Sequence, residues 1–149
     1  MSLSTDIMTA LKAAMKSKDQ TALTALRAVK SAILLAQTES GAKEDLTEEQ
    51  ELKILQKQVK QRKDSAAVFL EQGREDLATP ELAEAEVISQ FLPEAMSEED
   101  IAKEVEAVIA QTGAAGMKDM GKVMGLVSKN LAGKADGKTI SNIVKAKLA

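Results

Sequence analysis

Apolar residues recur along this chain at the three-to-four-residue spacing of a helix, and no segment shows the sustained alternation of a strand. Leu3, Ile7, Ala10, Leu11, Ala14 and Met15 fall on one helical face. Asp19 stands where an N-cap belongs. The helix after it has Ala22, Leu26, Val29 and Ile33 on its apolar face, with Leu23 and Leu34 at the flank. Arg27 and Lys30 lie beside that stripe, where their stems can cover the core edge. Ser40-Gly41-Ala42-Lys43 reads as a loop.

Thr47-Glu48-Glu49-Gln50 fits a capping box. It opens a long helix with Leu52, Leu55, Val59, Ala66 and Leu70 along one side and Lys53, Lys57 and Lys60 on the opposite side. Gly73 has the C′ role at its end. Thr79-Pro80 then predicts a new start, Thr as cap and Pro at the first helical position. This segment runs through Val87 and Ile88 to Phe91, and Leu92-Pro93 stops it. Ser97-Glu98-Glu99-Asp100 begins another helix, with Ile101, Val105, Val108 and Ile109 as its stripe. Gly113-Ala114-Ala115-Gly116 is a loop. Met120, Val123, Met124, Val127 and Leu131 give the cleanest helical period in the chain. Asp136 caps the last helix, which turns Ile140, Ile143, Val144 and Leu148 inward. The expected architecture is all-α: an N-terminal helical bundle over residues 1–93 and a small three-helix tail domain over residues 94–149.

Composition narrows the chemistry. Aromatics are 1% of the 149 residues, namely Phe69 and Phe91, so Leu, Ile, Val, Ala and Met must fill the core. There is no Cys and no His, which removes disulfides, thiol nucleophiles, Cys/His zinc sites and histidine acid–base catalysis together. No metal and no cofactor is expected. The start of the chain lacks the basic and apolar regions of a signal peptide, and its longest aliphatic run, Ala32–Ala36, is far too short for a bilayer. The expectation is a soluble, cytoplasmic protein without a membrane partner.

Charge is uneven. The formal net charge is −3, yet residues 113–149 carry seven Lys against two Asp. Five basic residues and no acidic one stand between Lys53 and Lys63. Either stretch can meet phosphates, and either can be a solvated helix face, which is the commoner case. Glu84, Glu86, Glu94, Glu98, Glu99 and Asp100 are plentiful carboxylates. No spacing singles out a catalytic pair among them, and no catalytic residue is assigned.

Two motifs mislead. Gly137-Lys138-Thr139 resembles the end of a phosphate-binding P-loop, but the glycine that motif needs is Ala132 here, and no strand precedes it. Gly121-x-x-x-Gly125 resembles a membrane dimer motif on a helix that carries Lys118, Asp119, Lys122 and Lys129. Each glycine costs a helix roughly 1 kcal/mol relative to Ala. Close packing of another helix, more than approach of a ligand, is the expected reason for them.

Several stretches together resemble the YqeY family. They are Leu26–Ile33, Gln61–Ser65, Phe69–Leu77, Glu84–Glu86, Phe91–Pro93, Asp119–Gly125 and Gly133–Lys138. The likeness runs in order through essentially the whole chain. That family's C-terminal half is similar to the tail of GatB, the B subunit of the glutamine-dependent amidotransferase that acts on mischarged tRNA. The resemblance implies an all-α protein and points to tRNA, or a tRNA-dependent amidotransferase complex, as partner. It also brings a family label of carbon–nitrogen ligase with glutamine as amido-N-donor. The chain has no room for a kinase-like ATP site and no amidase nucleophile cluster, so a non-catalytic tRNA-binding module is expected. The alternative is a protein-interaction adaptor without an RNA ligand, using the Met120/Met124 surface. The RNA-contact candidates are Lys118, Lys122, Lys129, Lys134, Gly137 and Lys138, with Lys53, Lys57 and Lys60 as a secondary basic patch.

Overall fold

The computed structural model describes residues 2–39, 41 and 45–149. Among them are seven α-helices, one short 3-10 turn and no strand, so the fold is all-α. The chain divides into two compact units, residues 1–92 and 93–149.

The first unit contains α1 (Leu3–Ser17), α2 (Gln20–Glu39), α3 (Glu48–Glu71) and α4 (Glu75–Ser89). Sequence signals set most of the helix ends. Asp19 Oδ1 accepts the Ala22 N–H at 3.1 Å and starts α2. Thr47 and Gln50 form both halves of the capping box that starts α3. Gly73 adopts a left-handed φ of 70°, its N–H reaching the Leu70 carbonyl and that of Arg74 the Phe69 carbonyl. Those two bonds satisfy the last carbonyls of α3 and reverse the chain. The predicted loop positions Ser40, Ala42 and Lys43 lie outside the described residues.

Three expectations fail in this unit. The fourth helix starts at Glu75, not at Thr79-Pro80, and Pro80 lies inside it. The Gly73 turn has already reversed the chain, so α4 can begin at once. Pro80 then forfeits the bond toward the Asp76 carbonyl and its ring crowds that carbonyl, a cost that the packing of α4 must offset. Thr79 is no cap: its hydroxyl donates to the Glu75 carbonyl at 3.0 Å. Leu70 is 51% exposed, because the buried stripe of α3 drifts from Ala66 toward Phe69. Met15, likewise expected inside, is exposed.

The core of this unit gathers Ile7, Leu11, Leu26, Val29, Ile33, Leu55, Val59 and Ile88, with the buried Ala25 and Ala85 among them. Charged groups fall in register with it. Arg62, on the α3 stripe between Val59 and Ala66, bonds Glu84 of α4 at 3.2 Å, and both side chains are largely buried. The same guanidinium donates to Gln58 Oε1 at 2.7 Å. Glu51, one turn before Leu55, is the one buried polar residue among the described residues, at 6% exposure.

The second unit contains α5 (Glu98–Thr112), a 3-10 turn (Met117–Asp119), α6 (Met120–Asn130) and α7 (Gly137–Leu148). Its core is wholly aliphatic: Ile101, Val105, Val108, Val123, Val127, Leu131, Ile140, Val144 and Leu148. Five valines in helices run against propensity, so packing and not intrinsic preference holds these segments helical. Gly113 caps α5 in a left-handed conformation. Asp136 caps α7, one carboxylate oxygen accepting the Thr139 N–H at 2.8 Å and the other the Thr139 hydroxyl at 3.0 Å.

Candidate nucleic-acid interface

The second unit sorts its charge by helix. Its first helix carries a dense acidic start at Glu98, Glu99 and Asp100, whereas α6 and α7 carry almost only lysines. Residues 93–149 together hold eight Lys against eight Asp and Glu. The excess positive charge of residues 113–149 is therefore one side of a neutral, polarised unit, and not the charge of a domain. At physiological ionic strength charges beyond about 8 Å are largely screened, so a polyanion would feel the basic side locally.

The lysines on that side are exposed and mostly unengaged. Lys118, Lys122, Lys129, Lys134 and Lys138 make no ion pair among the described residues. Lys147 differs, being bonded to Glu106 of α5. Lys122 and Lys129 share the solvent face of α6, two turns apart, with Gly121 and Gly125 between and beside them. Lys118 is exposed in the 3-10 turn just before α6. Lys134 lies in the turn before α7, held by its N–H to the Leu131 carbonyl and by its own carbonyl to the Met96 N–H, both at 2.9 Å.

Gly121 and Gly125 correct the expectation of close helix packing. A Cβ added to either would meet nothing within 4 Å. Both lie on the exposed face, so no helix of this unit uses the space they leave. What they provide is bare backbone flanked by lysines. At the start of α7, Gly137 and Lys138 are exposed, but a phosphate there would share the helix end with the engaged Asp136 carboxylate.

The secondary basic patch is built differently. Lys53 pairs with Glu49 at 2.9 Å and Lys60 with Asp64 at 2.8 Å, each one turn away on α3. Lys57 is exposed between them, and Arg62 of the same basic run turns inward to Glu84. Phe69 and Phe91 are half-buried, so neither offers a free ring for base stacking. Met120 and Met124, expected at a partner surface, pack against the core of the second unit, while Met117 and Leu126 are the exposed apolar residues there.

The residues that sequence reasoning missed are Glu51 with its neighbours Asp45 and Glu48, which line one cavity. Burial, with Asp45 and Glu48 nearby, raises the Glu51 pKa from its usual value of 4.5. The signal was present: Glu51 stands one helical turn before Leu55, in line with the apolar stripe of α3. No group of three or more His, Cys, Asp or Glu among the described residues is arranged to hold a metal ion.

The whole chain finds a family. A family model described as Yqey-like protein matches residues 4–148, and the chain belongs to the YqeY family. Altered inheritance of mitochondria protein 41, mitochondrial, of Clavispora lusitaniae is 41% identical over 92 residues, which is 60% of this chain and 52% of that protein. The protein of the same name from Pyrenophora tritici-repentis is 31% identical over 144 residues, 92% of this chain and 78% of that protein. The chain thus spans about half the length of the first of these relatives. Both relatives are named as mitochondrial, which is no support for a cytoplasmic location. No described helix is long and apolar enough to cross a membrane.

Proposed function

We propose that this protein is a non-catalytic binder of structured RNA, with tRNA the first candidate, and that the solvent face of α6 is its contact surface. The observation that carries the reading is the placement of Gly121 and Gly125 beside Lys122 and Lys129, with open space over both glycines. An exposed helix gains stability from Ala at such positions. Glycine there makes sense if something outside the unit comes close to the backbone, and the lysines select an anion. Scarce, half-buried aromatics favour recognition of shape and phosphates in folded RNA over stacking on single strands. In this reading the protein works beside a glutamine-dependent tRNA amidotransferase, in the cytoplasm, and holds tRNA without performing the carbon–nitrogen ligase step itself.

The test is binding of total tRNA to the full chain across a salt series. Contacts to five phosphates give a slope of log affinity against log salt of roughly −3.5 to −4.5. A variant with Lys122→Glu, Lys134→Glu and Lys138→Glu should lose most of that binding. Equal binding by both proteins, or none by either, sinks the reading. Glutamine-dependent amidation of mischarged tRNA by the purified protein with ATP would instead make it an enzyme.

One observation favours a second reading, a protein-interaction adaptor. Met117 and Leu126 are exposed near the same glycines, and methionine adapts readily to a partner surface. Recovery of a stoichiometric protein after nuclease treatment, with loss in a Met117→Ser, Leu126→Ser variant, would select it.

A further inference from the structure

The far end of the α3–α4 hairpin stands outside the core of its unit. That core joins Leu55 and Val59 of α3 and Ala85 and Ile88 of α4 to α1 and α2. Ala66 and Ala78 lie farther along the packed pair, and both are buried, yet they belong to neither core cluster. Small side chains thus close the seam there. From residue 67 to residue 80 only Phe69 and Ala78 are not exposed.

This end is apolar for so exposed a segment. Nine large hydrophobic side chains are exposed among the described residues, and four of them, Val68, Leu70, Leu77 and Leu82, fall within residues 68–82. Scattered leucines on a surface are normal, whereas a gathering of them marks an interaction site. Leu70 stands four residues after Ala66, and Leu82 four after Ala78. Four residues turn a side chain about 40° past the alanine, and in an antiparallel pair that step takes both leucines to the same side of the seam. They border one shallow groove between the helices.

Charge selects the occupant. Residues 63–89 hold seven Asp and Glu against Lys63 and Arg74, and Arg74 is bonded to Asp76 at 3.0 and 2.9 Å. Glu71, Glu75, Glu81 and Glu86 make no ion pair among the described residues. Like charge opposes RNA, anionic lipid and the same end of a second copy, and it favours a cationic protein surface.

We propose that this end of the hairpin docks a cationic amphipathic helix of a partner protein, its apolar side on Leu70 and Leu82 and its basic side chains toward Glu75 and Glu86. A helix laid in a groove between two others is a common mode of recognition. No residue of the α6 face takes part.

The experiment titrates the full chain with an amphipathic peptide of about four helical turns, built of Leu and Lys alone. Amide shifts are followed by NMR. Saturable shifts are expected at Ala67, Leu70, Ala78 and Leu82. Leu70→Ser with Leu82→Ser alters two already exposed side chains and should weaken the peptide about tenfold. Glu75→Gln with Glu86→Gln should weaken it and reduce its dependence on salt. The same peptide with Glu for every Lys should not bind. Shifts absent from the hairpin end, binding indifferent to the two serines, or equal binding of the Glu peptide would overturn the proposal. Self-association of the chain in sedimentation, lost in the serine variant, would give the surface to a second copy and overturn it too. Amide spectra of the variants that overlay the parent elsewhere show that they fold.

Discussion

On α3 of the first unit Lys53 and Lys60 are each bonded to a carboxylate one turn away, and Arg62 is drawn inward to Glu84. On α6 of the second unit Lys122 and Lys129 have glycines as neighbours and no ion pair among the described residues. The first unit also buries Glu51, whereas the core of the second is entirely aliphatic. Basic residues on the two helices thus have opposite standing. Where a helix supplies its own counter-charges, its lysines are a solvated face worth a few tenths of a kcal/mol per pair. Where it supplies none and exposes backbone besides, its lysines stay open to the outside partner proposed above.

The comparison can be pressed first through the cores. Leu55→Ala and Ile140→Ala each empty a fully buried site, one per unit, and should cost about 2–5 kcal/mol. Hydrogen exchange resolved by residue should show the loss of protection concentrated in the unit that carries the change.

Next comes the inward arginine. Arg62→Ala strands Glu84 at a site where both side chains are less than a fifth exposed, and should cost about 2 kcal/mol in denaturant unfolding. Combined with Glu84→Gln the loss should be smaller than the sum, since the two act as a pair. Lys60→Ala, removing a surface pair on the same helix, should change stability by less than about 0.5 kcal/mol.

A smaller effect of opposite sign separates folding from binding on α6. Gly125→Ala adds a methyl to open space in a helix interior and should stabilise the protein by about 0.5–1 kcal/mol. If RNA approaches that backbone, the same change weakens tRNA binding. A variant that is more stable and binds equally well would leave the lysines as the whole of the interface.

The smallest effect is in pH. Glu51 holds its proton more tightly when folded than its usual value of 4.5 allows, through burial first and the charges of Asp45 and Glu48 second. In the window above that value the folded state binds more protons than the unfolded, so the Glu51 contribution to stability falls as pH rises through it. Glu51→Gln should flatten that part of the stability curve and raise stability near neutral pH, which thermal unfolding at several pH values will read.

Much of the fold was legible in the sequence because helix ends are local. Asp19, the Thr47–Gln50 box, Gly73, Ser97 and Asp136 act through bonds to residues within a few positions, and all behave as their types predict. Thr79-Pro80 misled because the same local signal serves a helix start and tolerates an early position inside a helix already begun. The candidate interface was half legible. Its lysines are countable, but whether a glycine faces a neighbouring helix or solvent depends on how the helix is rolled, and at Gly121 and Gly125 it is solvent.

The sequence by itself determined an all-α chain, the helix termini, the aliphatic cores and the family. Periodicity, caps and composition act over one or two turns, and the family likeness runs through the whole length. Only the tertiary structure decided which charges are spoken for. Arg62 meets Glu84 across two helices, Glu51 lies against a cavity made with α1 and α2, and the lysines of α6 remain open beside bare backbone. Pairing, burial and exposure are properties of neighbours brought together from distant positions, and no local pattern fixes them.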